Sequence, residues 1–176
     1  TLSATYFYIF IKDLIQVDPT ILSLVNIGEA VSKGVELETS LKPFKSLRLR
    51  GNYTYFEAED RATGEELPFR SKSKWYLNLL YLPTPAFTFN IDINIVSSQA
   101  ISVDFISLNG DLLSGESPGY TRVDLTASYD LLKKVGIFKD MQFFFKVNNL
   151  FDAEIMEVPG FPAGGISILV GIKTYL

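Results

Sequence analysis

The groups able to do chemistry in this chain are carboxylates, amines, guanidinium groups, hydroxyls and phenols, because it contains neither histidine nor cysteine. Ser-His and Cys-His nucleophile pairs are therefore ruled out, as is zinc held by imidazole or thiolate. Paired carboxylates can support acid–base hydrolysis, but no spacing among the 20 Asp and Glu singles out a pair. The densest acidic stretch is Glu57, Glu59, Asp60, Glu65 and Glu66. Oxygen ligands of this kind suit calcium, yet the spacing fits no EF-hand loop, and a solvated acidic loop is the simpler account. Phe105, Tyr120 and Phe161 are candidates to stack on a ligand, with ordinary loop packing as the plainer alternative. Nothing here marks a catalytic, metal or ligand-binding residue. The chain reads as a non-enzyme without a cofactor.

Charge and composition narrow the classes further. A net charge of −4 offers no basic patch to displace counterions, which excludes a nucleic-acid partner. Apolar residues make up 47% of the chain and aromatics 14%, yet mean hydropathy is only +0.19. No stretch approaches the roughly 18–20 uninterrupted apolar residues that a membrane-crossing helix needs. Strands escape that test, because their apolar residues alternate with polar ones and dilute the average. The absence of cysteine says little about compartment.

Period-two alternation predicts about eight strands, over 2–12, 33–42, 46–57, 73–82, 86–97, 119–132, 141–150 and 165–176. Val35, Leu37, Thr39 and Leu41 oppose Glu36, Glu38, Ser40 and Lys42. Phe87, Phe89, Ile91, Ile93 and Ile95 oppose Thr88, Asn90, Asp92 and Asn94. In the first run Tyr6, Tyr8 and Phe10 compete with Phe7, Ile9 and Ile11 for the apolar face. Soluble strands average about 5–6 residues, whereas a tilted strand crossing a bilayer needs roughly 9–11. These runs fall in the longer class.

The links between runs alternate strictly. Short ones lie near 43–45, 83–85 and 133–140, and long ones near 13–32, 58–72, 98–118 and 151–164. Outer-membrane barrels have short periplasmic turns and long extracellular loops, so a periplasmic C-terminus at Leu176 would put every long link outside the cell. Trp75 and Tyr81, Tyr53 and Tyr55, Tyr129, and Tyr175 sit near run ends, as an interfacial aromatic girdle requires. The fold class expected is all-β: an antiparallel transmembrane β-barrel.

Four local patterns carry a resemblance to a known family. They are Asn26-Ile27-Gly28-Glu29-Ala30 followed by Gly34-Val35-Glu36, then Gly51-Asn52-Tyr53-Thr54-Tyr55, then Gly119-Tyr120-Thr121-Arg122-Val123-Asp124-Leu125, and Val147-Asn148-Asn149-Leu150-Phe151-Asp152. In order and spacing the chain resembles the C-terminal barrel of TonB-dependent outer-membrane receptors. Each motif has a scaffold role available. Gly34 and Gly51 suit bulges or close backbone approach, and Asn148, Asn149 and Asp152 suit side-chain bonds where a ladder opens into a loop. Two departures stand out. Gly160-Phe161-Pro162-Ala163-Gly164-Gly165 lacks the second Pro and the Arg of the family's "G-Y-P-x-P-G-R" loop, and the chain ends in Leu176 where Phe is common.

The resemblance implies that residues 1–176 are the C-terminal portion of a 22-stranded barrel, its last eight strands, with the N-terminal plug and earlier strands outside the sequence. Glu36, Glu38, Arg48, Arg50, Asp92, Arg122, Asp124 and Lys146 would then line the lumen, with Glu38 and Arg50 as cross-strand neighbours around the turn at 43–45. It also implies active uptake of a scarce, large ligand (an iron–siderophore complex, haem or cobalamin) with energy delivered by TonB. Partners would be outer-membrane lipid, the plug, TonB and the iron complex or cobalamin-like ligand. Two rivals remain: a stand-alone eight-stranded barrel acting as a small pore or enzyme, and a soluble β-sandwich used for binding.

Overall fold

The computed structural model describes residues 1–18, 23–26, 28–106, 112–131, 140–157 and 161–175. Eight strands form one antiparallel sheet: β1 (Leu2–Lys12), β4 (Glu29–Phe44), β5 (Leu47–Asp60), β6 (Ser73–Thr84), β7 (Phe87–Val96), β10 (Tyr120–Leu131), β11 (Asp140–Asn148) and β12 (Ser167–Tyr175). They lie side by side in that order, each beside the next in an up-and-down meander. Two small hairpins stand apart from the sheet: β2 (Ile15–Asp18) with β3 (Ser23–Asn26), and β8 (Gln99–Ile106) with β9 (Leu112–Ser117). Both fall inside predicted long links and had no separate place in the sequence reading. The predicted short link at 133–140 lies outside the described residues except for its last position.

Register turns the alternation of single strands into two continuous faces. Val35 pairs with Tyr6 and Tyr55, and Leu37 with Ala4 and Tyr53. Leu79 lies between Leu49 and Ile91, Ile91 is across from Leu125, and Leu125 from Val147. Val147, Phe145 and Phe143 meet Ile168, Val170 and Ile172 on the last strand. Residues directly across an antiparallel pair point the same way, so all of these share one apolar surface. The ambiguity in β1 resolves accordingly: Tyr6, Tyr8 and Phe10 join this face, while Phe7, Ile9 and Ile11 lie on the other.

Gly34 explains why that assignment is forced. It pairs with Phe7, and a Cβ placed on it would overlap the Phe7 ring, the Tyr55 carbonyl and Phe56. Only a residue without a side chain lets the phenyl ring lie across the strand at that point. The two register shifts within the eight-stranded sheet have a similarly local cause. They fall between Leu41 and Phe44 and between Tyr81 and Thr84, and each interval contains a proline, Pro43 or Pro83. Lacking an N–H, proline cannot donate to the ladder and is accommodated in a bulge.

The sheet is a single layer. Among the described residues, the buried apolar cluster is Ala30, Ala58 and Leu67, with Ile11, Leu14 and Phe56 packed against it at the long-link end. Elsewhere large apolar side chains stand open, such as Trp75 at 44%, Val170 at 70% and Ile172 at 59% exposure. A soluble sandwich would cover this face with a second sheet, and no described element does so. A closed eight-stranded barrel would pair the first strand with the last, whereas among the described residues β1 and β12 each have a single neighbour.

Among the described residues no helix is long and apolar enough to cross a membrane. The strands are long enough. The 12 residues of β6 and of β10 extend about 40 Å, which at a tilt near 45° covers a little under 30 Å of bilayer. Aromatics mark both levels of that span. Tyr53 and Trp75 pack as a tilted pair 4.1 Å between centroids near the long links, and Phe87 and Tyr129 likewise at 4.5 Å near the short turns. The side chain of Tyr175 lies outside the description.

Facing is directly measurable. A charge placed on the apolar side near mid-strand, Ile93→Arg, is expected to cost about 2–4 kcal/mol of stability in unfolding from lipid vesicles, and Asn94→Arg much less. Equal costs at the two positions would contradict the assignment of faces.

Candidate lumen-facing site

The other face of the sheet is polar and hydrogen-bonded. Arg50, Asn78, Asp92 and Asp124 succeed one another across β5, β6, β7 and β10. Asp92 is the hub. It accepts from the Tyr76 hydroxyl at 2.6 Å, from Asn78 Nδ2 at 2.8 Å and from Asn90 Nδ2 at 2.5 Å. Asn78 also donates to Asn90 Oδ1 at 2.8 Å. Directly opposite Asp92 stands Asp124, an unfavourable pairing of like charges. Asp124 is offset by partners of its own: Arg122 Nε at 2.9 Å and the Asn149 backbone N–H at 2.8 Å. Each carboxylate thus has a separate set of donors.

The predicted lining residues do share this face. Glu36 is across from Thr54, Glu38 from Asn52, Arg48 from Leu80, and Lys146 from Thr126. Glu38 and Arg50 are not directly opposed. Arg50 pairs with Ser40, which leaves Glu38 diagonal to it. The tight turn at 45–46, later than the predicted link, together with the bulge at Pro43, sets that register. Tyr76 and Asn78 were not singled out from sequence, although Lys74, Tyr76 and Asn78 alternate with Trp75, Leu77 and Leu79.

The motif residues gather mainly at the long-link end of β10 and β11. Asn149, only 2% exposed, folds back on its own loop: its Nδ2 donates to the Ala153 carbonyl and its Oδ1 accepts from the Ala153 N–H, both at 2.9 Å. Both Asn149 (φ 51°) and Asp152 (φ 50°) adopt left-handed backbone, a conformation that Asn and Asp tolerate better than other side chains. The Asp152 carboxylate receives the Ile166 N–H at 2.8 Å, and the Leu150 N–H reaches Val123 O at 2.8 Å. Asn148 Nδ2 bonds Ser167 Oγ at 3.0 Å. Phe151 makes no comparable contribution and is 73% exposed.

The remaining motif positions are split between faces. A Cβ on Gly119 would sit 2.5 Å from the Val96 carbonyl, so β10 can start against the end of β7 only with glycine there. Gly51 lies between Thr39 and Leu77, and Tyr53 packs on Trp75, both on the apolar face. Val35 shares that face, and Glu36 the polar one.

Above Gly119 the loops enclose a cavity of about 300 Å³ whose lining includes Phe69, Lys74, Gln99, Tyr120 and Glu157. The Tyr120 hydroxyl donates to Glu157 Oε1 at 2.8 Å, and Gln99 Nε2 to the Glu157 carbonyl at 2.7 Å. Ser117 Oγ bonds the Met156 carbonyl at 3.0 Å. Phe69 holds a positive φ of 60°, unusual for a bulky residue, with its N–H bonded to Ala100 O at 2.8 Å. Of the three aromatic candidates, Tyr120 lines this cavity, Phe161 is 51% exposed, and the side chain of Phe105 lies outside the description. Gln99 and Glu157 carried no period or motif that sequence could have flagged.

The acidic stretch, which begins on the last residues of β5 (Glu57, Glu59, Asp60) and continues into the link after it, is engaged in ion pairs. Lys33 Nζ lies 3.7 Å from Glu57 and 3.9 Å from Glu59, and Lys72 Nζ lies 2.7 Å from Glu66. Asp60 accepts the Ala62 N–H at 2.7 Å, as an acidic turn residue does. The Glu66 carboxylate raises the pKa of the Lys72 ammonium above its ordinary value. Among the described residues no group of three or more metal-ligating side chains converges.

The sequence profile of the TonB dependent receptor-like β-barrel matches residues 1–150. The chain belongs to that family. Members of the TonB-dependent receptor family are outer-membrane β-barrels that serve as receptors rather than enzymes. No curated protein matches the sequence. Among solved structures, the ferric-catecholate import receptor Fiu of E. coli K12 superposes with a TM-score of 0.70 at 18% identity, over 97% of this chain and 24% of that one. A mutant of the ferric enterobactin receptor PfeA of Pseudomonas aeruginosa gives 0.73 at 17% identity, over 99% and 29%. The copper transporter OprC gives 0.72 at 16% identity, over 99% and 28%. At such identities the likeness is one of fold. The chain spans roughly a quarter of the length of these structures.

The buried bonds at Asp124 and Asn149 set the stability of this end of the barrel. Asn149→Ala and Asp124→Ala are each expected to cost about 1–3 kcal/mol, because each strands a partner. The bond between them is donated by the Asn149 backbone N–H, which alanine keeps, so Asn149→Ala acts through the two Ala153 bonds and Asp124→Ala through the loss of the acceptor. Urea unfolding from lipid vesicles measures both terms.

Proposed function

We infer that these residues are the C-terminal part, the last eight strands, of the barrel of an outer-membrane active-transport receptor. It takes up a scarce, large ligand of the iron–siderophore, haem or cobalamin class, with energy delivered through TonB. One observation carries the reading: an eight-stranded sheet with one apolar and one hydrogen-bonded polar face ends on two strands that each lack a second neighbour among the described residues. In hydrocarbon such edges need further strands, and a wide barrel closed with them encloses a wet or plugged lumen. The polar row from Arg50 to Asp124 suits contact with a plug domain. Family membership and the matched structures support the assignment, among them receptors described as importing ferric catecholates and binding ferric enterobactin. A copper transporter in the same set argues against choosing a single cargo from fold. The family-motif residues are scaffold in this reading, and the cavity beside Tyr120 is part of the mouth.

In the orientation we favour, the short turns are periplasmic and the long links extracellular. Link length supports it, since outer-membrane barrels have short periplasmic turns and long extracellular loops. On the outward face Lys33, Glu57 and Glu59 stand beyond Val35 and Tyr55, in the aqueous zone that the longer ends of β4 and β5 would reach.

Uptake of radiolabelled iron bound to a panel of siderophores, haem iron and labelled cobalamin tests the reading in cells carrying the full-length gene. Accumulation of one of these cargoes is expected to disappear on deletion of the gene, on loss of TonB, and on collapse of the proton-motive force. Uptake that persists without TonB, or a deletion that alters none of the panel, overturns it.

A further inference from the structure

The apolar face of the sheet is not evenly filled. Phe89, Ala127 and Phe145 stand directly across from one another on β7, β10 and β11, so a single methyl group separates two phenyl rings. One step nearer the short turns, Phe87 and Tyr129 lean together with centroids 4.5 Å apart. Beyond Phe145, Val170 continues the row on β12. The outcome is an apolar notch of about 280 Å³ floored by Ala127. At the next level along the strands Ile91, Leu125 and Val147 form a row of similar bulk, without a dip.

The chemistry of the notch limits what can occupy it. No charged side chain lines it, so water inside would lack the two to four polar partners that hold an ordered molecule. Left empty, its walls would forgo dispersion contacts on one side. A protein partner needs a broad complementary surface, which a slot one side chain deep does not offer. The notch is continuous with the face that meets acyl chains, and it lies at the girdle level where chains give way to headgroups. The Tyr129 hydroxyl, without a partner among the described residues, stands at its rim and can donate to an ester carbonyl.

We propose that this notch holds one acyl chain of a glycerophospholipid from the leaflet on the short-turn side, as a bound lipid distinct from the exchanging belt around it. The leaflet rests on the orientation given above; the notch itself does not. Ala127 is then the specificity-determining position, with Phe89 and Phe145 as walls.

The test uses the full-length receptor, extracted in mild detergent and stripped stepwise of lipid. Native mass spectrometry counts what is retained, and lipid analysis identifies it. The natural protein is expected to keep one glycerophospholipid per receptor. Ala127→Phe, which fills the notch, should lower the retained fraction at least tenfold, while Leu125→Phe on the neighbouring level keeps it. Phe145→Ala removes a wall without adding bulk and should also release the lipid, which covers the case in which Ala127→Phe fails to assemble. No retained lipid, or equal retention in the natural protein and both notch variants, overturns the proposal. So does a receptor dimer that dissociates on Ala127→Phe, since a second copy would then be the occupant. Retained lipopolysaccharide overturns the leaflet and with it the orientation. Cargo uptake by the notch variants should stay at the natural level, because the notch is on the opposite face from the lumen, so a failure of the transport reading shows separately.

Discussion

A chain that crosses hydrocarbon has no water to satisfy its amides, and each unpaired N–H or C=O there costs several kcal/mol. Everything else in this molecule follows from meeting that requirement between neighbouring strands. The eight long strands are paired nearly end to end, and the two register shifts sit beside the prolines that cannot donate. The same requirement explains why the sheet has no use for a buried core. Its stabilising ladder runs along the layer, and the solvent on one side is lipid.

Fixing the ladder fixes the faces. With a side-chain period of two, one register decides which half of every strand meets lipid, and a single-residue slip would turn Asp92 and Asp124 outward. The polar face is therefore more than a lining. Its hydrogen bonds among Tyr76, Asn78, Asn90 and Asp92 add a sequence-specific penalty to any slip of β6 against β7. At the long-link end the knot around Asn149 does the same for β10 and β11, through Asp124 and Val123.

How much of this could be read from sequence depended on how far apart the interacting residues were. The strands of the main sheet, their apolar faces and the long–short rhythm of the links were legible, because alternation is a local property. The first run was ambiguous because both of its faces are apolar: it could be oriented only once Phe7 was found across from Gly34, 27 positions along the chain. The hairpins β2–β3 and β8–β9 were missed because four to eight residues with mixed polarity give no clear period. The strand now called β4 began four residues earlier than its alternation predicted, since Ala30 and Val31 are both buried and so break the pattern. The diagonal placement of Glu38 and Arg50 depended on a turn at 45–46 instead of around 44, and on a bulge that sequence marked only as Pro43. The contacts of Gln99 and Glu157 join loops 58 positions apart and left no trace in spacing.

The tie between the Asp152 carboxylate and the Ile166 N–H closes the base of the last long loop independently of what lies between. β11 and β12 therefore keep their alignment through this tie, while Met156 and Glu157 separately fasten the start of the loop to Ser117, Gln99 and Tyr120. A loop pinned at its root in this way can change its outer surface without disturbing the two strands that carry it.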